Sequence, residues 1–413
     1  MNEIFFVLVL LFSLSSGYFL FLKQDKNKFI IAVIIALKLM ILWVIAGNIL
    51  TMSLLGLTAI VGIITAFIAV LVFSNYDFLK NESKLRFAYI IVALVFLVLF
   101  ASGCTGNTSN FPRVTGELNL GFIPSKILSP VKNELYVASE RNDFIEVFNL
   151  STKSKKTIIP TGKMPTGIIV NNGILFSANK NSNTITIHNL ENAKAVTVYS
   201  GGSFPCALAV NHKKNLLYVA NMGSNNVSIL DLSSKEVNVE NKIAVGKWPS
   251  DLYLSPDNRY LYVCCKYTNT IQVIDVEKEQ LILTKVNTGI SPSEMVAISN
   301  RDIAIINEWE YAYNHQSTIL VFDRINYNLK YDMMVEGGIF DAVLSKSKRY
   351  MYISVPVKDK VIFVDLKQKR TIFELNFKDD TPRWLALSTD KKTLYVATQH
   401  TGKIFTVALR GVI

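Results

Sequence analysis

Residues 307–317 read NEWEYAYNHQS and set two carboxylates, Glu308 and Glu310, among Trp309, Tyr311, Tyr313 and His315. Aromatic faces beside acids suit stacking on a sugar or gripping a basic peptide. A carboxylate near an imidazole would also suit the activation of a water molecule. Asp341, Arg383 and His400 are the other charged or titratable side chains that belong with this group. Whether any of them meet depends on the elements that carry them.

Those elements are repeats. From about residue 113 the chain breaks into short alternating strands separated by Gly, Pro and Asn. A G-x-x-P element recurs as GFIP (121), GKMP (162), GSFP (202), GKWP (246) and GISP (289), and degrades to GGIF (337) and DDTP (379). An apolar, β-rich element follows each: LYVAS, LFSAN, LYVAN, LYVCC, IAIIN, MYISV and LYVAT. A third closes each copy: DFIEVFN, NTITIHN, NNVSILD, NTIQVID, STILVFD, DKVIFVD and GKIFTVA. Seven copies at spacings of 40 to 48 residues fit the four-stranded blades of a propeller. Gly and Pro suit the tight passage between blades, and a terminal Asp or Asn suits the turn into a fourth strand. The last copy supplies only three strands, so residues 113–121 are expected to supply the fourth and close the ring.

LYVAN and NNVSILD, with GKWPSDLYLSPDNRYLYV, resemble the YVTN family of β-propellers over nearly all of residues 113–413. The resemblance implies a seven-bladed, extracytoplasmic wheel. A ligand site is then expected on the face made by the G-x-x-P loops and the turns between second and third strands, around the central channel. The fifth of those turns carries the long insertion at 307–317. The residues following each G-x-x-P, namely Ser125, Thr166, Cys206, Ser250, Ser293, Asp341 and Arg383, should face the channel. Asp341 and Arg383 come from adjacent copies and are expected to pair. His188 falls on a third strand and His212 on the opposite face, so the histidines do not suggest a copper, zinc or haem site.

The chain carries a formal charge of +11. Residues 104–413 hold 36 basic and 28 acidic residues, a surplus that suits anionic surfaces such as phospholipid or wall polymer. It is too diffuse for a specific nucleic-acid site, since the densest basic run is KSKK at 153–156. Cysteines 104, 206, 264 and 265 form no disulfide framework, and adjacent Cys264 and Cys265 should point to opposite faces of one strand. No metal or cofactor is expected.

Ahead of the repeats lie four apolar segments, Ile4–Leu22, Phe29–Gly47, Leu54–Ser74 and Phe87–Gly103, each long enough to span a bilayer as a helix. The loops KQDKNK (23–28) and NYDFLKNESKLR (75–86) are basic and NILTMS (48–53) is not. Positive loops stay cytoplasmic, which puts everything after Gly103 outside the cell membrane. The fourth segment, KLRFAYIIVALVFLVLFASGC, resembles a secretory signal ending in a lipobox at Cys104, although Ala101 stands where such boxes prefer leucine. Cleavage would leave a lipidated Cys104, and no cleavage would leave a permanent helical tether. Lys38, within the second span, is either a functional residue, since a charge there is costly, or a lysine that snorkels or faces the helix bundle, and the helices could hold a membrane partner.

The expected architecture is therefore four transmembrane helices (1–103), a linker (104–112) and a seven-bladed propeller (113–413). The expected role is a membrane-tethered binding module for an envelope protein, peptide or glycan. The alternative is a lactonase-like hydrolase using the carboxylates of the loop face.

Overall fold

The structure, a computed structural model, describes residues 111–410 apart from 235 and 309–315. The four apolar segments, Lys38, Cys104, Trp309, Glu310, Tyr311, Tyr313 and His315 lie outside the described residues. No helix among the described residues is long and apolar enough to cross a membrane.

Among the described residues twenty-eight strands form seven four-stranded antiparallel sheets. Blades 1 to 6 are continuous in sequence and occupy residues 124–160, 165–199, 205–244, 249–287, 292–336 and 342–376. Blade 7 takes Pro382–Leu387, Thr393–Thr398 and Lys403–Ala408, and Arg113–Asn119 adds its outermost strand. The ends of the wheel are thus joined by backbone hydrogen bonds rather than left as open edges.

Each strand's sequence follows its place in the blade. Second strands such as Leu216–Asn221 are buried throughout, because neighbouring blades cover both of their faces. Outermost strands such as Ser154–Pro160 are exposed nearly throughout and carry polar residues. The apolar core lies between blades. Between blades 3 and 4 it joins Ala207, Tyr218 and Ala220 to Leu252, Leu261 and Val263. Between blades 7 and 1 it joins Trp384, Ala386 and Tyr395 to Ile127, Leu135 and Val137.

The polar residues of the repeat tie the turns. The Asp or Asn ending the third strand of blades 1 to 6 accepts backbone N–H bonds from the following turn, as Asp275 does from Glu277 (2.9 Å) and Asp365 from Lys367 (2.9 Å). The Asn ending the second strand reaches across to the third, Asn221 to Ser228 Oγ (2.7 Å) and Asn307 to Thr318 Oγ1 (2.9 Å). Gly202 is required by close approach, since a Cβ there would stand 2.7 Å from the Cβ of Asn221.

A further tie links consecutive blades. Asn183, Asn225 and Asn269 open their third strands at positive φ, and their side-chain oxygens accept the N–H of Phe204 (2.9 Å), Trp248 (2.9 Å) and Ser291 (2.8 Å). Asp359 does the same for Thr381 (3.1 Å). Each acceptor is in one blade and each donor is on the loop entering the next.

Candidate functional site

The inner strands begin with a β-bulge. Register shifts fall between Pro124 and Lys126, Pro249 and Asp251, Pro292 and Glu294, and Pro382 and Trp384. The residue after the proline is therefore displaced, and the next one resumes pairing opposite the fifth residue of the second strand. Several displaced residues tie blades together instead of offering a free polar group to a ligand. Ser125 Oγ donates to the Pro165 carbonyl, Cys206 Sγ to Pro249 (3.1 Å) and Ser250 Oγ to Pro292 (3.3 Å).

The charges lie one residue further on. Asp251 and Glu294 pair with Cys264 and Ile306, and Asp341 occupies the same level opposite Ser354, whose N–H donates to its carbonyl (3.0 Å). Lys126 stands at that level in blade 1, opposite Ala138. The three carboxylates repeat one bond. Asp251 accepts the N–H of Met295 (2.8 Å), Glu294 that of Ala342 (3.1 Å) and Asp341 that of Leu385 (2.7 Å), each in the following blade. Asp341 also accepts from Lys126 Nζ at 3.1 Å, across the width of blade 7.

This level places three carboxylates around one ammonium. Burial disfavours the charge on Lys126, but Asp341, Glu294 and Asp251 outweigh it and hold the amine above its ordinary value. Burial pushes Asp251 up to about 6, against the pull of its backbone donors and of Lys126. Burial, and next the charge of Asp341, holds Glu294 well above the usual carboxylate range.

Most of the residues expected at the site separate, although the charge of Glu308 still acts on Arg383. Asp341 and Arg383 do not pair. In blade 6 Phe340 and Asp341 together oppose Ser354, and Ala342 pairs with Ile353, so Ile339 rather than Phe340 stands where other blades have proline. Asp341 accordingly drops to the level of Lys126, while Arg383 stays with the displaced residues and packs over Phe340 (4.0 Å to the ring centre) and Trp384 (5.2 Å). Arg383 donates to Gln399, and its burial lowers the guanidinium's affinity for its proton. Glu308 pairs with Lys266 (2.9 Å), both largely buried. His400 is exposed, 3.4 Å from Thr381 Oγ1. His188 is buried on the third strand of blade 2, and His212 meets Asn171 (2.7 Å) at the opposite face. Among the described residues no group of acids, histidines or cysteines is arranged to hold a metal ion.

Lys126, Asp251 and Glu294 are channel residues that the sequence reading did not single out. Their signal was present in PSK, PSD and PSE, charged residues at one fixed distance after the motif proline.

Two other surfaces carry polar or apolar groups. On the loop face, Trp248 and Tyr267 stack at 4.1 Å with an interplanar angle of 23°, and both are exposed, as are Phe204 and Ile290. On the opposite face a cleft of about 480 Å³ lies between blades 3 and 4. Its charges are largely matched: Glu277 pairs with Lys214 (2.8 Å), and Asp275 accepts the N–H groups of its own turn.

Residues 190–299 match the family described as "Lactonase, 7-bladed beta-propeller". That segment runs from the end of blade 2 into blade 5 and includes Asp251 and Glu294. A curated relative, "Antigen Lp49" of Leptospira interrogans, is 27% identical over 158 residues. The alignment covers 35% of this chain and about a third of the antigen's own length (34%). Among solved structures, the Kuenenia stuttgartiensis hydrazine synthase superposes with a TM-score of 0.60 at 14% identity, over 69% of this chain and 95% of that one. The β-propeller domain of Myceliophthora thermophila Cps50 (Swd1) gives 0.62 at 11% identity, over 72% and 99%. At those identities the likeness is one of fold. Seven blades, a ring closed by its own N-terminal strand and a lactonase-type match across its middle make this chain a seven-bladed β-propeller.

Proposed function

We propose that the chain is a membrane-tethered, extracytoplasmic binding module that presents its loop face to an envelope protein, peptide or glycan. The observation that carries this reading is how the channel carboxylates are used. Asp251, Glu294 and Asp341 each hold the next blade through a backbone N–H, as parts of the scaffold. The loop face instead exposes a stacked aromatic pair, Trp248 and Tyr267, with Phe204 and Ile290 on the same face, and apolar groups gathered on one surface mark interaction sites. The tether rests on the four apolar segments and the basic loops between them. Pull-down from envelope extract with the full chain, compared with Trp248→Ala and with a deletion of residues 308–315, tests the role. Equal recovery of partners by all three would end it.

A second reading, a lactonase-type hydrolase, is favoured by one observation. The family match spans Asp251, held up to about 6, which suits general acid–base work, and Glu294, whose proton affinity burial raises in the same direction. Lactone hydrolysis followed by proton release should then fall at least a hundredfold in Asp251→Asn or Glu294→Gln. A rate indifferent to both substitutions rejects it.

A further inference from the structure

The loop face is electrically divided. The entry loops and second-to-third turns of blades 2, 3 and 4 span residues 161–164, 180–183, 200–204, 222–225, 245–248 and 266–269. They contain Lys163, Lys180, Lys247 and Lys266 and no Asp or Glu. The corresponding segments of the other blades hold the acids, among them Glu140, Asp143, Glu308, Asp359 and Asp380. Of the four lysines, Lys266 is paired with Glu308. Lys163, Lys180 and Lys247 have no ion-pair partner among the described residues.

The exposed rings occupy the same sector. Phe204 and Trp248 sit on entry loops at φ of 54° and 56°, a conformation costly for a bulky residue. The equivalent positions in the loops entering blades 5 and 7 are Ser291 and Thr381, with φ of 57° and 47°. The loop geometry therefore accepts small polar residues and does not call for aromatics. Trp248 is 38% exposed and the stacked Tyr267 52% exposed, so the pair forms a raised aromatic platform. Lys247 lies beside it, its carbonyl accepting the N–H of Tyr267 (3.1 Å).

We propose that the sector formed by blades 2 to 4 binds an acidic polysaccharide, its sugar rings lying on Trp248 and Tyr267 and its carboxylate or phosphate groups meeting Lys163, Lys180 and Lys247. The proposal rests on the binding reading above and names its ligand class. The electron-rich face of an aromatic ring attracts the weakly positive C–H face of a sugar, which a purely acidic peptide lacks. A chain of repeating anions matches cations spread over three blades. A peptide adding itself as a strand would need an open sheet edge, and the closed ring offers none at this face.

The test uses the full chain in detergent and four probes: polygalacturonate, neutral dextran, polyglutamate and oligodeoxythymidylate. Polygalacturonate should bind at least about tenfold more tightly than each of the others, and more weakly as salt rises. Trp248→Ala and Tyr267→Ala should each weaken it about tenfold. Changing Lys163, Lys180 and Lys247 together to Ala should remove the salt dependence, with all variants melting as the parent does. Equal binding of dextran, polyglutamate or the oligonucleotide overturns the proposal, as does indifference to both aromatic substitutions. If polygalacturonate fails to bind while envelope pull-down still depends on Trp248, the ligand class is wrong and the binding reading survives. If pull-down is also indifferent to Trp248 and to residues 308–315, both fall.

Discussion

Asp341 of blade 6 meets Lys126 of blade 1 at 3.1 Å, spanning the blade that contains the chain's closing seam. Asp341 is almost wholly buried, while Lys126 keeps about a third of its side-chain exposure (34%). Loss of the lysine would leave a buried carboxylate supported by the Leu385 N–H alone. Lys126→Met is expected to cost about 2 kcal/mol, reduced from the figure for a dry pair because water reaches the amine. Lys126→Met combined with Asp341→Asn should recover part of that loss, since the amide oxygen can still accept from Leu385. Denaturant titration of the single and double variants measures the coupling, and strictly additive losses would show that the pair does not act as one unit.

The two other acids of that level make stability depend on pH. Burial raises the folded-state affinity of Asp251 for its proton to about 6, above the ordinary aspartate value near 4. A group raised in this way favours the fold most when protonated, and its contribution is lost as pH rises through the folded value. Stability should therefore decline by about 1–2 kcal/mol between roughly pH 4 and pH 6, and Glu294, raised in the same direction by its burial, should add to the decline. Asp251→Asn with Glu294→Gln should flatten the decline, as read from melting temperatures across that range. An unaltered profile would mean that other groups set it.

The seven blades could be read from the repeats because each repeated residue has a local job that recurs: a glycine for close approach, an aspartate for a turn, an apolar run for a strand covered on both sides. The level of Lys126, Asp251 and Glu294 was harder to see because it depends on a bulge. The bulge displaces the residue after each proline and brings its neighbour into register, and nothing in G-x-x-P announces it. Asp341 was singled out, but through an alignment of GGIF that placed Phe340 at the proline position. The register of the folded strand puts Ile339 there, which separates Asp341 from Arg383. The exposed Trp248 and Tyr267 come from different segments of one blade, so only the folded sheet brings them together.

The blade-to-blade tie from Asn225 gives a prediction in two steps. Asn225 sits at φ of 54° and accepts the N–H of Trp248 at 2.9 Å. Asn225→Ala loses the bond and strains the backbone, for about 2 kcal/mol. Asn225→Gly loses only the bond and should cost about half as much. Equal melting temperatures for the two variants would assign the whole effect to the hydrogen bond.

Cys206, Cys264 and Cys265 should be chemically quiet in the folded protein. Burial pushes the Cys206 thiol up to about 12, Cys265 up to about 11, and Cys264 well above its ordinary value. The reactive thiolate is therefore scarce at neutral pH, and the buried pair is also closed to reagents. Alkylation at pH 8, located by peptide mapping, should leave these three unmodified until denaturant is added. Rapid native labelling of Cys264 or Cys265 would mean that blade 4 opens far more readily than its packing implies.

The seam itself yields the strongest expected effect. Arg113–Asn119 runs beside Lys403–Ala408 in six aligned pairs, with a bulge near its start. Thr115 Oγ1 also donates to the Thr406 carbonyl (3.2 Å), and Leu120, 2% exposed, continues the strand into the core between blades 7 and 1. Deleting residues 113–119 from the full chain would leave the third strand of blade 7 as an open edge and uncover part of Phe405. Open, apolar edges pair with other chains, so the variant should associate in proportion to its concentration as well as melt earlier. Light scattering over a concentration series, beside thermal melts, separates the two effects. Deleting a similar length from an exposed third-to-fourth turn, which seals nothing, is the control. If the seam deletion stays monomeric and melts with that control, the ring does not depend on its N-terminal strand for closure.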